Sequence, residues 1–239
     1  MGILTIAFDD CYTDTFNHCA SFLAENGIIA TFAVPSSHIG QTLEERSVMD
    51  TRQLLSLRNS GHEIASHTSG HRNLLDVYNT EGEIAVREEM ASSKKELGYL
   101  LNTYVTSMVF PFIESNQNLL LRKLASEYYL SSRITTEKHV FNPLPVKDAF
   151  SITGLAFTRE RSVEDYNKLV ESLAGTDSWL IEVFHLVSDK NTKSAHRDEP
   201  YRFFTPIEDF KKHISYILSK KIPIMTQGQV IKKTYVRSY

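Results

Sequence analysis

The chain has 239 residues, 41% hydrophobic and 23% charged, which places it among ordinary globular proteins and away from disordered or membrane-spanning chains. Its 26 Lys and Arg stand against 29 Asp and Glu, so no global field recruits nucleic acid or an anionic membrane. Two cysteines, Cys11 and Cys19, exclude a disulfide framework and read as small buried residues.

The opening residues lack a basic segment, a long apolar stretch and a small-residue cleavage site, so with Met1 as the natural start the expected location is cytoplasmic. No run approaches the ~20 apolar residues of a membrane span. Residues 3–8 form a short apolar run that predicts a strand, and it ends on two adjacent carboxylates, Asp9 and Asp10. Like charges this close resist joint ionisation unless a cation neutralises one. The pair therefore reads as a metal ligand beside a base, or, taken alone, as a strand-ending Asp that caps the next helix. A helix over 12–26 follows, with Thr13 or Asp14 as its cap, then a strand over 28–34 and a helix over 51–60. A strand over 62–66 runs into His67-Thr68-Ser69-Gly70-His71. Histidines four apart converge on one ion when the residues between them turn helically. A lone pattern of this kind also arises by chance, and its force here comes from following Asp9 and Asp10 on another strand end. His62, in or before its strand, reads as a hydrogen-bonded structural histidine.

Further along, helices are expected over 81–101, 115–126 and 162–174, and strands over 106–110, 128–133, 150–157 and 179–184. The last of these delivers His185 at its carboxyl end, as a general acid suited to neutral pH or as a satisfied core histidine. Residues 186–204 form a long polar loop of the kind that is often functional. Thr205-Pro206 with Glu208 marks the start of a helix over 205–220, and residues 222–225 read as a final strand.

Eight strands alternating with six helices predict an α/β fold, a distorted or incomplete (β/α) barrel built as one domain over 1–239. No Gly-x-Gly-x-x-Gly turn follows the first strand, which removes the usual support for dinucleotide binding. In such a barrel the carboxyl ends of the strands carry the active site, and Asp9, Asp10, His67, His71 and His185 all stand there.

Taken together, Ala7-Phe8-Asp9-Asp10, the segment from Gly27 to Val34, and His67-Thr68-Ser69-Gly70-His71 resemble the polysaccharide deacetylase family, carbohydrate esterase family four. Phe210 to Val230 resembles that family's last helix and strand. The resemblance implies a divalent metal on Asp10, His67 and His71, with Zn first and Co, Ni or Mn as alternatives. It also implies Asp9 as the base and His185 as the acid, with Leu180 and Val183 lining a pocket for the acetyl methyl. The implied substrate is an N-acetylated or O-acetylated sugar of a glycan or glycan precursor. Pro111 and the aromatic residues Tyr12, Phe112 and Tyr201 are candidates to face its ring. Hydrolysis of small linear or cyclic amides on the same fold is the alternative, and a carbohydrate-binding module without activity is a third reading.

Departures from the family pattern accompany the likeness. Met108-Val109-Phe110-Pro111-Phe112 falls where many members carry Arg-x-Pro, so Val109 or Phe110 stands in place of the arginine that usually orients the base. Phe110-Pro111-Phe112-Ile113 is nearer to the Tyr-Pro-x-Gly variant, without its glycine. Residues 148–158 show none of the usual Arg or Asp-Trp features, and support for Asp9 is therefore unidentified. Cys11 occupies a position where glycine is common, as a bystander or as an additional soft ligand.

Overall fold

The computed structural model describes residues 2–112, 118–138, 141–189 and 202–235. In chain order its first half runs β1 (Ile3–Phe8), α1 (Thr13–Glu25), β2 (Thr31–Val34), β3 (Thr42–Leu43), β4 (Arg46–Ser47), α2 (Thr51–Asn59), β5 (Glu63–Ser66), α3 (Leu74–Glu81), α4 (Glu83–Leu101) and β6 (Ser107–Val109). The second half runs α5 (Leu119–Tyr128), β7 (Ser131–Thr136), β8 (Asn142–Pro143), β9 (Ile152–Ala156), α6 (Val163–Leu173), β10 (Ser178–Phe184), β11 (Leu186–Ser188), β12 (Phe204–Pro206), α7 (Ile207–Ser219) and α8 (Gln227–Thr234). Seven parallel strands pair in the order β1-β2-β5-β6-β7-β9-β10, and β10 returns to β1 to close a barrel.

Successive strand residues face opposite sides, and this sorts the barrel's apolar positions into two sets. Leu4, Ile6, Phe8, Phe32, Ile64, Met108, Leu180 and Phe184 face outward, where they share one core with helix residues such as Leu23, Leu54, Met90 and Phe210. Ala7, Ile181 and Val183, together with Ala33, Ala65 and Val109, fill the interior. Both faces are covered, so strands such as β1 and β10 read as largely apolar runs, whereas β7 carries polar residues inward.

The eighth expected strand, 222–225, contributes only a bridge between Leu4 and Ile224. Leu4 donates to the carbonyl of Pro223 and accepts from Met225, and Pro223 brings no N–H with which to extend a ladder. The segment leads instead into α8, a helix absent from the sequence expectation, which begins with a Thr226–Gln229 capping box and plugs the amino end of the barrel. Gln227 Nε2 donates to Ser131 Oγ, and Gly228 N donates to Glu63 Oε2 at 2.9 Å. A Cβ on Gly228 would lie 2.6 Å from Glu63 Oε1, so a larger residue would push the Glu63 carboxylate aside.

Other boundaries shift for local reasons. The helix expected over 81–101 begins only after Gly82, whose φ of 88° breaks it from α3, and α3 carries its own cap in the Asn73 side chain. Thr205 and Pro206 belong to β12, which pairs with β11, so α7 starts two residues later and no side chain caps it. Neither Thr13 nor Asp14 caps α1, where Tyr12 holds the N-cap position without a side-chain bond. Among the described residues no helix is long and apolar enough to cross a membrane.

Candidate active site

Beyond Phe8 the ladder continues for one more step, with Asp9 N donating to the carbonyl of Phe184 at 2.9 Å. Asp10 and Cys11 then adopt left-handed backbone, at φ 65° and 52°, which turns a second consecutive carboxylate toward the barrel mouth. Such conformations cost about 1–3 kcal/mol in non-glycine residues, and a glycine at Cys11 would escape that cost. On the neighbouring strand end His67 N donates to the carbonyl of Val34. The loop that follows is not a helical turn: Thr68 and His71 are left-handed, at φ 63° and 53°, and the convergence of the histidines comes from these two reversals.

The ligating atoms of Asp10, His67 and His71 lie within 4.8 Å of one another. His67 Nε2 and His71 Nε2 stand 3.3 and 3.1 Å from Asp10 Oδ1. His67 Nδ1 lies 3.0 Å from the carbonyl of Val109, which can only accept, so this nitrogen carries the proton and Nε2 presents its lone pair. Asp10 Oδ1 is buried and has no aligned hydrogen bond. A buried carboxylate oxygen facing two imidazole nitrogens, one of them with its lone pair exposed, lacks a positive centre. The one-oxygen, two-nitrogen donor set suits a Zn-type cation.

Asp9 has a different environment. Arg133, fully buried on β7, reaches across the barrel so that Nη2 donates to Asp9 Oδ1 and Nη1 donates to Oδ2 at 3.2 Å. Thr135 Oγ1 donates to the same Oδ2 at 2.9 Å and accepts from Arg133 Nη1 at 2.8 Å. Burial would raise the Asp9 carboxyl, and the guanidinium outweighs it and holds Asp9 below its ordinary value. The arginine missing from 108–112 is thus supplied one strand later, where Val109 pairs with Arg133 in register. The only sequence signal for it was a cation at the end of a strand candidate, whose acid partner is far away in the chain.

Asp9, Asp10, His67, His71 and Thr135 line a cavity of about 450 Å³ that also takes in His185, Glu44, Phe112, Glu137, Arg202 and Phe203. His185 leaves β10 at its carboxyl end, with its ring 4.7 Å from that of Phe203 and a buried Nδ1 that has no hydrogen-bond partner among the described residues. Phe112, 47% exposed, sets its ring 5.2 Å from His71. Tyr12, Pro111, Leu180 and Val183 do not line the cavity. Tyr12 is buried behind the wall and donates to Glu44 Oε2 at 3.3 Å. Pro111 is buried beside its exposed neighbour Phe112. Leu180 points outward to the helices, while Val183 points inward but packs where a Gly154 Cβ would be. Tyr201 lies outside the described residues.

Two residues resolve as structural. Cys11 Sγ donates to the carbonyl of Ala33 at 3.2 Å, and burial together with Asp10 pushes its thiol far up, so it is a protonated bystander. His62 Nδ1 accepts from Ala30 N at 3.0 Å, and burial lowers it to about 4.

A family model described as polysaccharide deacetylase matches residues 2–130, just over half of the chain. The chain belongs to the polysaccharide deacetylase family. No curated protein matches it. Solved structures add the fold. The carbohydrate esterase family four domain of a multidomain xylanase from the hindgut metagenome of Trinervitermes trinervoides superposes with a TM-score of 0.59 at 15% identity, over 97% of this chain and 90% of that one. A deacetylase solved with its substrate gives 0.60 at 14% identity, over 99% and 94%. A family pseudoenzyme from Bacillus anthracis gives 0.59 at 10% identity, over 96% and 65%. Polysaccharide deacetylases therefore share this barrel with at least one protein described as lacking activity, and the reading of this member rests on its own side chains.

Proposed function

We propose that the protein is a metal-dependent hydrolase that removes acetyl groups from N-acetylated or O-acetylated sugars of a glycan or glycan precursor, acting as one catalytic domain over residues 1–239. The observation that carries this reading is the division of labour between adjacent carboxylates. Asp10 meets His67 and His71 in a charge-deficient cluster, while Asp9 is held ionised by Arg133 in the same cavity. Asp10, His67 and His71 would hold the cation, which when bound supplies a Lewis acid for the acetyl carbonyl and for water.

Asp9 takes a proton from the attacking water, and its pairing with Arg133 and Thr135 keeps the carboxylate oriented with a lone pair free for that task. His185, which lines the cavity, delivers a proton to the departing amine or alcohol. Phe112 and Phe203 offer aromatic faces to the sugar ring. A binding module has no use for an acid and a base on adjacent strand ends, and an arginine beside the base is present as Arg133.

The test is acetate release from a panel of N-acetylated and O-acetylated sugars, with protein stripped by chelator and reloaded with Zn, Co, Ni or Mn. Acetate release that returns with metal is the expected result. Hydrolysis of small linear or cyclic amides with none of the sugars would transfer the assignment to the amide reading, and no turnover despite bound metal would end the enzymatic one.

A further inference from the structure

Between β5 and α3 the chain must hold His71 in place through a loop with no regular structure, and nearly every backbone group of 67–70 has a traceable partner. His67 N donates to Val34 O, Thr68 N to Ser66 Oγ, and Ser69 N to Glu89 O. The carbonyls of Thr68 and Ser69 accept from Ser36 N and Ser37 N. Gly70 N, next to the distal histidine, is satisfied by a side chain from a distant helix: it donates to Glu89 Oε2 at 2.7 Å. The fit is close, since a Cβ on Gly70 would lie 3.0 Å from Glu89 Oε1.

The source of that carboxylate is built into α4. Its apolar stripe of Val86, Met90, Leu97 and Leu101 packs on the core. Beside it runs a polar seam at helical spacing, Glu89, Ser93 and Glu96. Ser93 Oγ lies 2.8 Å from Ser66 Oγ at the end of β5, and Glu96 accepts from Ser36 Oγ, whose backbone holds Thr68. The seam thus touches the histidine loop, the strand that launches it and the turn that braces it, and none of its members enters the cavity.

We infer that Glu89 is a positioning residue for the metal site, fixing His71 through the Gly70 amide, so that its carboxylate oxygen sets cation affinity without touching the cation. The inference rests on the proposed metal site and specifies what holds it. Partners one shell removed from a ligand are typically worth about 10–100-fold in metal affinity.

The experiment titrates the full chain with Zn against a competing chelator, and with Co followed by its visible absorption, in wild type and in Glu89→Ala, Glu89→Asp and Glu89→Gln. Glutamine keeps an oxygen at the same reach and should bind within about threefold of wild type. Alanine removes the acceptor and aspartate withdraws it, and each should lose about 10–100-fold. A role confined to stability would lower the melting temperature and leave the affinity of the folded protein unchanged. Should Glu89→Ala fail to fold, the Asp and Gln pair decides alone. Equal affinity of the Asp variant and wild type would overturn the inference, as would loss in Gln with retention in Asp. Wild type that binds neither metal would overturn the metal site itself.

Discussion

Each end of the barrel holds an inward carboxylate, and the two ends treat it in opposite ways. At the amino end Glu63 accepts from Thr31 Oγ1, Ser107 Oγ and Gly228 N, and α8 seals it from below. At the carboxyl end Asp10 is buried more deeply than the half-buried Glu63, yet its Oδ1 has no aligned donor, and the backbone on both sides of the cavity is left-handed at Asp10, Cys11, Thr68 and His71. The same barrel therefore shows what a carboxylate looks like when it serves the fold and when the fold serves it. An unsatisfied buried oxygen together with strained backbone is the mark of a site.

The largest effect that tests this contrast is at Asp9. Asp9→Asn should lower kcat by about 10²–10⁴-fold while leaving metal affinity near wild type, measured by steady-state acetate release and chelator competition. Unchanged turnover would sink the assignment of the base.

Arg133→Met comes next, because it strands a buried carboxylate. It should destabilise the protein by about 3–5 kcal/mol in denaturant unfolding and lower turnover as well. A loss of stability with full activity would make the pair structural, and the two ends alike.

Acid should loosen the amino end of β5, away from the site. His62 has its pKa lowered from 6.5 to about 4 in the fold, so the unfolded chain binds the proton more readily. The stability its neutral form contributes is complete above the unfolded value and is lost as pH falls from about 6.5 toward 4, up to about 3 kcal/mol. Melting curves across that interval should be steeper in pH for wild type than for His62→Gln.

The smallest effect belongs to the sealed end. Gly228→Ala drives a methyl into Glu63 and should cost about 1–3 kcal/mol of stability with kcat unchanged. A drop in kcat larger than the loss of folded protein would show that the two ends are coupled.

How much of this could be read from the chain depends on where the signal lay. Asp9, Asp10, His67, His71 and His185 stood out because each is a polar residue at the end of an apolar strand, a local contrast that needs no knowledge of packing. Arg133 did not, because β7 reads Ser-Ser-Arg-Ile-Thr-Thr and its acid partner is 124 residues away in sequence. Leu180 and Val183 were placed by family likeness alone. The period of the strand sends Leu180 to the helix layer, and Val183 stops one inward position short of the cavity. Most of the seven strands that close the barrel were visible as runs, β7 only in its first half, whereas α3 and α8, both short, depend on the caps at Asn73 and Thr226 more than on any periodic stripe.

The plug also bears on the order of events during synthesis. Residues 223–234 follow every barrel strand in the chain, yet Leu4, Thr31, Glu63 and Ser131 all draw partners from them. A ribosome that has released β10 has made a barrel able to close around its wall but open at its floor, with polar side chains facing water. Contacts of such long sequence separation form slowly. Residues 223–234 thus act as a latch, and a chain cut before them would keep its motifs and lose the base on which they stand.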